Sequence, residues 1–236
     1  MNPVRIRKSI GRILIGERIA MTTFMQEKVT CAICHAVNEY NVLASTNTFG
    51  GGPDLDLRPA EMQRSTMHSW IQECPKCGYI SGRISDKRRV SKRWLRSEQY
   101  QTCDGLFFAS DLAKRFYKYY LICMQDREDE DAFFAVLHAA WACDDKQDVE
   151  NAKRCRKIAI SLADKLIESG HQQKNNLQLM KADLMRRAGL FDELVDQYAS
   201  VRFYDDLLNQ ILDFQIKKAK ERDADCYRVS DATGGR

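Results

Sequence analysis

Two short stretches, Cys31-Ala32-Ile33-Cys34 and Cys74-Pro75-Lys76-Cys77-Gly78-Tyr79, decide how the first third of this chain folds. Each is a CxxC pair, and 39 residues separate them. A two-residue gap lets one tight turn aim both sulfurs at a single point. Two such turns supply the four thiolates that tetrahedral zinc takes, at about 2.3 Å each. Turn amides can donate to the sulfurs and offset their charge. Pro75 stiffens the second turn, and Gly78 gives the backbone freedom needed just after it. The pattern is that of a zinc ribbon, two hairpins each carrying one knuckle, with Cys31, Cys34, Cys74 and Cys77 as ligands of one Zn2+.

Working outward, residues 39–46 and 69–73 read as short strands, and residues 79–84 as the strand leaving the second knuckle. The first knuckle carries His35 where the second carries Gly78. Cys31-Ala32-Ile33-Cys34-His35 therefore also matches the C-x-x-C-H attachment motif of c-type haem. Haem leaves the second pair unexplained and normally requires export, so zinc is the better reading; a redox dithiol is the third. Cys103, Cys123, Cys143, Cys155 and Cys226 lie mostly in helical sequence and read as small apolar or incidental thiols.

The interval between the knuckles holds an unusual loop, 49–59, reading FGGGPDLDLRP. It lacks the Walker pattern of a phosphate cradle. Asp54 and Asp56 are too few to hold a hard cation well. The structural reading is a loop that packs Leu55 and Leu57 while Asp54, Asp56 and Arg58 make local hydrogen bonds. The functional alternative is a docking loop using those three polar residues. Residues 59–67 then read as a short helix with Pro59 in its first turn.

From Arg83 to Arg96 there are seven basic residues and one acid. With Trp94 among them, Arg88, Arg89, Lys92 and Arg93 are candidate contacts to nucleic acid, cations to phosphates and the indole to a base. The competing reading is an amphipathic helix with Val90, Trp94 and Leu95 on its buried face. Acids at 126–131 are available to balance the charge.

Beyond residue 98 the chain reads as helix after helix, over 106–124, 131–143, 148–169, 172–188, 191–201 and 204–222. No proline interrupts them, and Gly170 and Gly189 stand where helices stop. The aromatic stripe from Phe107 to Tyr120 reads as core. Ala182, Gly189, Phe191, Leu194 and Tyr198 fit a tetratricopeptide-like unit, with a weaker copy 42 residues upstream around Ala140 and Ala152. The fold class expected is α+β: a small β-rich zinc ribbon followed by an all-α, tetratricopeptide-like domain. The divisions are residues 1–20 as a non-native or flexible extension, 21–97 as the ribbon, 98–224 as the helical domain and 225–236 as a flexible tail.

Composition agrees with a globular protein: 236 residues, 44% hydrophobic, 30% charged. No apolar stretch reaches the roughly 20 residues that span a bilayer. The formal charge of +4 sits entirely in residues 1–20, with five basic residues and one acid; the remaining 32 basic and 32 acidic residues cancel. Residues 1–20 could form a basic amphipathic helix on a membrane surface. The favoured reading is a translated ribosome-binding sequence at 16–21, with Met21 as the true start. No secretory leader is evident and nine cysteines are too sparse for a disulfide scaffold, so a cytoplasmic location is expected.

The loop 49–59, the CPKCGY knuckle at 74–79 and the run HAAWACDD at 138–145 together resemble an uncharacterised bacterial family. In that family a CxxC…CPxCGY zinc ribbon precedes tetratricopeptide-like helices. The resemblance spans roughly residues 28–225 and implies the architecture, but no activity. Departing from it, the first knuckle lacks the glycine after Cys34. No HExxH, Walker or Ser-His-Asp arrangement points to an enzyme. The function expected is a zinc-binding adaptor that engages a protein or peptide through its helical domain without a membrane. A zinc-ribbon nucleic-acid-binding protein using the basic run is the alternative.

Overall fold

The computed structural model describes residues 22–235; the expectations for residues 1–20 lie outside them. The architecture is α+β. Strands β1 (Thr23–Thr30) and β2 (Val37–Ser45) form an antiparallel hairpin whose pairing runs from Thr30 opposite Val37 to Thr23 opposite Ser45. Strands β3 (Gln72–Glu73) and β4 (Ile80–Ser81) form a second, much shorter hairpin. Between them, α1 (Glu61–Arg64) and a 3₁₀ turn at Met67–Ser69 replace the longer helix expected over 59–67. Strand β1 escaped the sequence reading because it is largely exposed, with Phe24 and Met25 facing solvent. It shows none of the in-out alternation by which strands are recognised.

The basic run is not a helix. After β4 the chain turns irregularly to a 3₁₀ turn at Trp94–Arg96 and then α2 (Glu98–Thr102), which Ser97 caps by accepting from the Tyr100 amide. The reason is an ion pair over distance. Asp126 accepts from both the amide and Nε of Arg89, at 2.9 and 3.0 Å. Backbone that is spent on a distant carboxylate cannot close an i to i−4 ladder. Leu95 is nonetheless buried, and Val90 and Trp94 pack partly against the core.

The helical half comprises α3 (Asp111–Asp126), α4 (Asp129–Asp144), α5 (Val149–Glu168), α6 (Lys174–Arg187), α7 (Phe191–Tyr198) and α8 (Asp206–Lys220). Ser110, Asp148 and Asp205 cap α3, α5 and α8 through their side chains, which is why those helices begin where they do. Phe107 and Phe108 therefore precede α3 rather than belonging to it. Helix α4 lies between α3 and α5 and buries residues all around its circumference, Ala132, Phe133, Val136, Leu137 and Ala139 to Cys143 among them. An all-round apolar helix is the central one.

One apolar core runs from Val29, Ile80 and Ile84 through Leu95 and Tyr100 to Phe116, Phe133 and Leu184. It crosses residue 97 without a break, so the hairpins and helices share their burial. A second core joins α6, α7 and α8 to Leu55 of the 49–59 loop. Residues 225–236 were expected to be a flexible tail; of these, Tyr227 to Val229 instead pair with the 49–59 loop. The Leu55 amide donates to the Tyr227 carbonyl and the Val229 amide to the Pro53 carbonyl, both at 2.9 Å. A last helix, α9 (Val229–Thr233), follows. The tail is held because the loop offers it strand-like partners at Asp54 and Arg228.

Candidate metal centre and the buried ionic network

The two knuckles are copies of one turn. The Cys31 amide donates to the Ala36 carbonyl and the His35 amide to the Cys31 carbonyl, both at 2.9 Å. In the second, Cys74 donates to Tyr79 and Gly78 to Cys74, both at 2.8 Å. The residue after the second cysteine is left-handed in both, with φ of 62° at His35 and 71° at Gly78. Histidine is among the residues that tolerate this region, so the missing glycine costs strain but leaves the geometry intact. His35 is exposed and stands outside the sulfur cluster.

The hairpins bring Cys31, Cys34, Cys74 and Cys77 together, all four sulfurs within 4.8 Å of one another. Cys31 Sγ lies 3.7 Å from Cys77 Sγ, and Cys34 Sγ 3.5 Å from Cys74 Sγ. A tetrahedron of thiolates with metal–sulfur bonds of about 2.3 Å has edges of about 3.8 Å, so the donor set fits a single ion. Both separations far exceed the bonded distance of about 2.05 Å, and all four cysteines are free thiols. Asn38 Nδ2 points at Cys74 Sγ from 3.8 Å and can offset negative charge there. Burial pushes the Cys31 and Cys77 thiols up; at Cys34 burial is outweighed by the Ala36 amide and the facing thiols, which bring it down to about 7. The hairpins are locked to each other by the Ala32 amide on the Ile84 carbonyl at 2.8 Å and by Tyr40 Oη on the Glu73 carbonyl at 2.9 Å. Tyr100 Oη of α2 donates to the Gly78 carbonyl, tying the second knuckle to the helices.

The loop 49–59 is docked inward. Asp56 is fully buried and Asp54 and Arg58 nearly so. Asp56 accepts from Trp141 Nε1 at 2.7 Å, from Arg187 at 3.0 Å and from the Arg58 amide at 3.2 Å. Arg187 also reaches Asp144 at 2.7 Å, and Arg156 pairs with the same carboxylate. Arg58 pairs with Asp145 at 2.7 Å and Arg64 with Asp54 at 2.9 Å. Both loop carboxylates are thus spent on guanidinium groups, which removes them as ligands for a second cation. Leu55 is buried as expected, whereas Leu57 is 44% exposed. Next to this network His138 lies among the rings of Trp70, Phe116, Phe134 and Trp141, with centroids 4.8 to 6.3 Å away. Sequence reading singled out both 49–59 and 138–145 but did not pair them. The available signal was the i, i+3, i+4 spacing of Trp141, Asp144 and Asp145, polar groups on an otherwise apolar helix.

Desolvation holds His138 down to about 3, with Asp56 pulling it up and Arg58 pressing it down. An unfolded histidine titrates near 6.5. As pH falls from about 6.5 toward 3, the unfolded chain therefore takes a proton that the folded chain refuses. The stability is full above about 6.5 and is lost below it, by at most about 1.4 kcal/mol per pH unit, and less because part of the ring reaches solvent. Urea unfolding at pH 7.5, 6 and 5 should show this slope, and a His138→Phe chain should show a shallower one. Equal slopes in the two chains would mean that other groups govern the acid response.

The basic run divides into two groups. Arg88 is held by Asp126 and Asp131 and donates to Tyr119 Oη, and burial notwithstanding, the Asp131 carboxylate keeps it charged. Arg89 pairs with Asp126 and lies 3.9 Å from Glu128. Lys92 and Arg93 are exposed, and Trp94 is half-buried against Tyr100 with ring centroids 5.1 Å apart. The acids at 126–131 thus neutralise the first two candidates directly. No helix among the described residues is long and apolar enough to cross a membrane. Comparison of the chain with protein-family models, with curated proteins and with solved structures finds no match.

Proposed function

We propose that the four cysteines hold one structural zinc ion and that the protein is a cytoplasmic adaptor engaging a protein partner through its helical half. Four thiolates at near-tetrahedral separations suit zinc better than hard cations, which take oxygen, and a closed set of four ligands leaves no position for catalysis. Asp54, Asp56 and Arg58 are spent on ion pairs, and His138 sits in its aromatic surround. That arrangement favours a binding protein over an enzyme.

The observation that carries the adaptor reading is an apolar groove of about 250 Å3 where α6 and α8 meet the 49–59 loop, lined by Leu57, Leu179, Met180, Leu208 and Ile211 among others. Its lining matches an apolar side chain on a short segment of a partner protein. The tetratricopeptide-like reading fits the same region. Ala182, Leu194 and Tyr198 are buried, and Gly189 ends α6 with φ of 81°. Arg88 and Arg89, held by acids, support a protein partner over nucleic acid.

The test compares the wild type with a Leu57→Asp, Leu208→Asp chain, each tagged and purified from lysate with and without nuclease treatment. A stoichiometric protein should accompany the wild type and fall by about tenfold or more with the variant, whose melting temperature and metal content should match. A partner equally retained by the variant, or lost on nuclease treatment, would sink the reading.

A further inference from the structure

The metal knuckle forms one wall of a cleft. A cavity of about 420 Å3 lies between Cys34, Cys77 and Gly78 on one side and Leu95, Arg96 and Gln101 on the other. Lys76 and Lys92 complete it. A second cavity of about 630 Å3 adjoins the first at Gln101 and is lined by Leu106, Phe107, Asp111 and Lys114 among others. Phe107 is 88% exposed, an unusual position for a phenylalanine next to a core. Among the described residues, no ion pair or side-chain hydrogen bond engages Lys76, Lys92, Arg96 or Lys114. This sets them apart from Arg88 and Arg89, which the acids of α3 and α4 hold. The cleft thus has unspent positive charge at the knuckle end and unspent apolar surface at the other.

We infer that this cleft binds an extended acidic peptide segment, its carboxylates at Lys76, Lys92 and Arg96 and a following apolar side chain against Phe107. The inference rests on the adaptor reading for the class of partner and adds the partner's chemistry and a second place of contact. Charge complementarity selects the occupant. A zinc ion on four thiolates carries a net charge of −2 beside three clustered cations, so the cleft keeps a positive balance, and the outward-facing ammonium and guanidinium groups can each meet a carboxylate. A nucleic-acid strand would carry its phosphates on past Asp111 and Lys114, which together line the second cavity with no net positive charge. The remainder of the chain supplies no positive field to compensate, because basic and acidic residues beyond residue 20 are equal in number. A peptide meets Asp111 differently, since its backbone amides can donate to the carboxylate. Gly78, with open space beside its Cα, leaves room for a main chain to lie close, and Gln101, whose Nε2 is already given to the Leu95 carbonyl at 2.6 Å, still has its Oε1 for a peptide amide.

The experiment is fluorescence anisotropy with the full zinc-loaded chain. The probe is a fluorescein-labelled peptide of three glutamates followed, four residues on, by a phenylalanine. A glutamine-for-glutamate version and a labelled 12-nucleotide oligothymidine are the comparators. The acidic peptide should bind, and more weakly as salt rises. A Lys76→Gln, Lys92→Gln, Arg96→Gln chain should lose about tenfold or more in affinity, in line with three partly screened ion pairs. Phe107→Ala should lose affinity for the acidic peptide, while Lys87→Gln, an exposed cation outside the cleft, should not. All these side chains but the Phe107 ring are charged and exposed, so folding is expected to survive; unchanged zinc content and melting temperature confirm it. No binding of the acidic peptide, equal binding of the glutamine version, indifference to the triple substitution, or tighter binding of the oligonucleotide each overturns the inference. The Leu57→Asp, Leu208→Asp chain should bind the acidic peptide normally, so failure here and failure of the apolar groove remain distinguishable.

Discussion

A Cys74→Ser chain should purify with almost no zinc, where the wild type should carry about one equivalent by elemental analysis. Cys74 is fully buried and its sulfur faces Cys34 at 3.5 Å. Serine offers a poor zinc ligand there, and three remaining thiols crowded without a cation repel once ionised. In isolated zinc modules the metal supplies about 10–16 kcal/mol of folding free energy. The loss should be smaller here, because α3 to α6 retain much of the shared core without the ion. A loss of about 3–5 kcal/mol is expected, a fall in melting temperature on the order of 10 °C for a chain of this size.

The damage should spread in a defined order. The bonds from Ala32 to Ile84, from Tyr40 to Glu73 and from Tyr100 to Gly78 all depend on knuckle placement. Limited proteolysis should therefore cut first within 31–81 and spare α3 to α8. A Cys226→Ser chain serves as the control and should keep its zinc, since Cys226 lies outside the sulfur cluster. Full zinc occupancy in the Cys74→Ser chain, or a haem absorption band in the wild type, would dismiss the four-thiolate centre.

The centre was legible in sequence because its information is local. A CxxC turn dictates its own hydrogen bonds, and two such turns need only hairpins to meet. Even His35, which lacks the freedom of glycine, takes the same φ region as Gly78. The long helices were legible for a similar reason: Asp148 marks a start, and Gly170 and Gly189 mark stops, whereas the cap at Ser110 was overlooked and that helix was placed from 106. What sequence could not show was pairing over distance. The basic run reads as a helix by its period, yet Arg88 and Arg89 are claimed by carboxylates some 40 residues away. The last residues read as a free tail by composition, yet Pro53 and Leu55 give them backbone partners far up the chain. Nor does any local signal reveal that one core crosses from hairpins to helices.

Asp56 is where those distant pairings converge, so replacing it should cost most among the polar residues. An Asp56→Ala chain leaves Trp141 Nε1 without its acceptor and Arg187 with Asp144 as its one ion-pair partner, in a site where burial works against the Arg187 charge and the Asp56 carboxylate does most to hold it. Removing one member of a buried ion pair typically costs about 3–5 kcal/mol, because the survivor stays desolvated. The orphaned indole N–H adds about 1–3 kcal/mol where no water replaces the carboxylate. Against a total stability of about 5–15 kcal/mol this is a large fraction. An Asp56→Asn chain should fall between, since an amide oxygen can still accept from Trp141 but brings no charge to Arg187. The zinc centre should be untouched, because neither the knuckles nor their cross-bonds use the loop. Urea unfolding followed by tryptophan fluorescence, with zinc measured in parallel, separates the two. If Asp56→Ala costs under about 1 kcal/mol, or strips the metal, then the loop is not the staple between residues 49–59 and the helical core that its ion pairs describe. If the loss is large and the zinc stays, the loop's acids are structural. Phe49 and Leu57 remain accessible on the loop, and Leu57 is the one that lines the apolar groove.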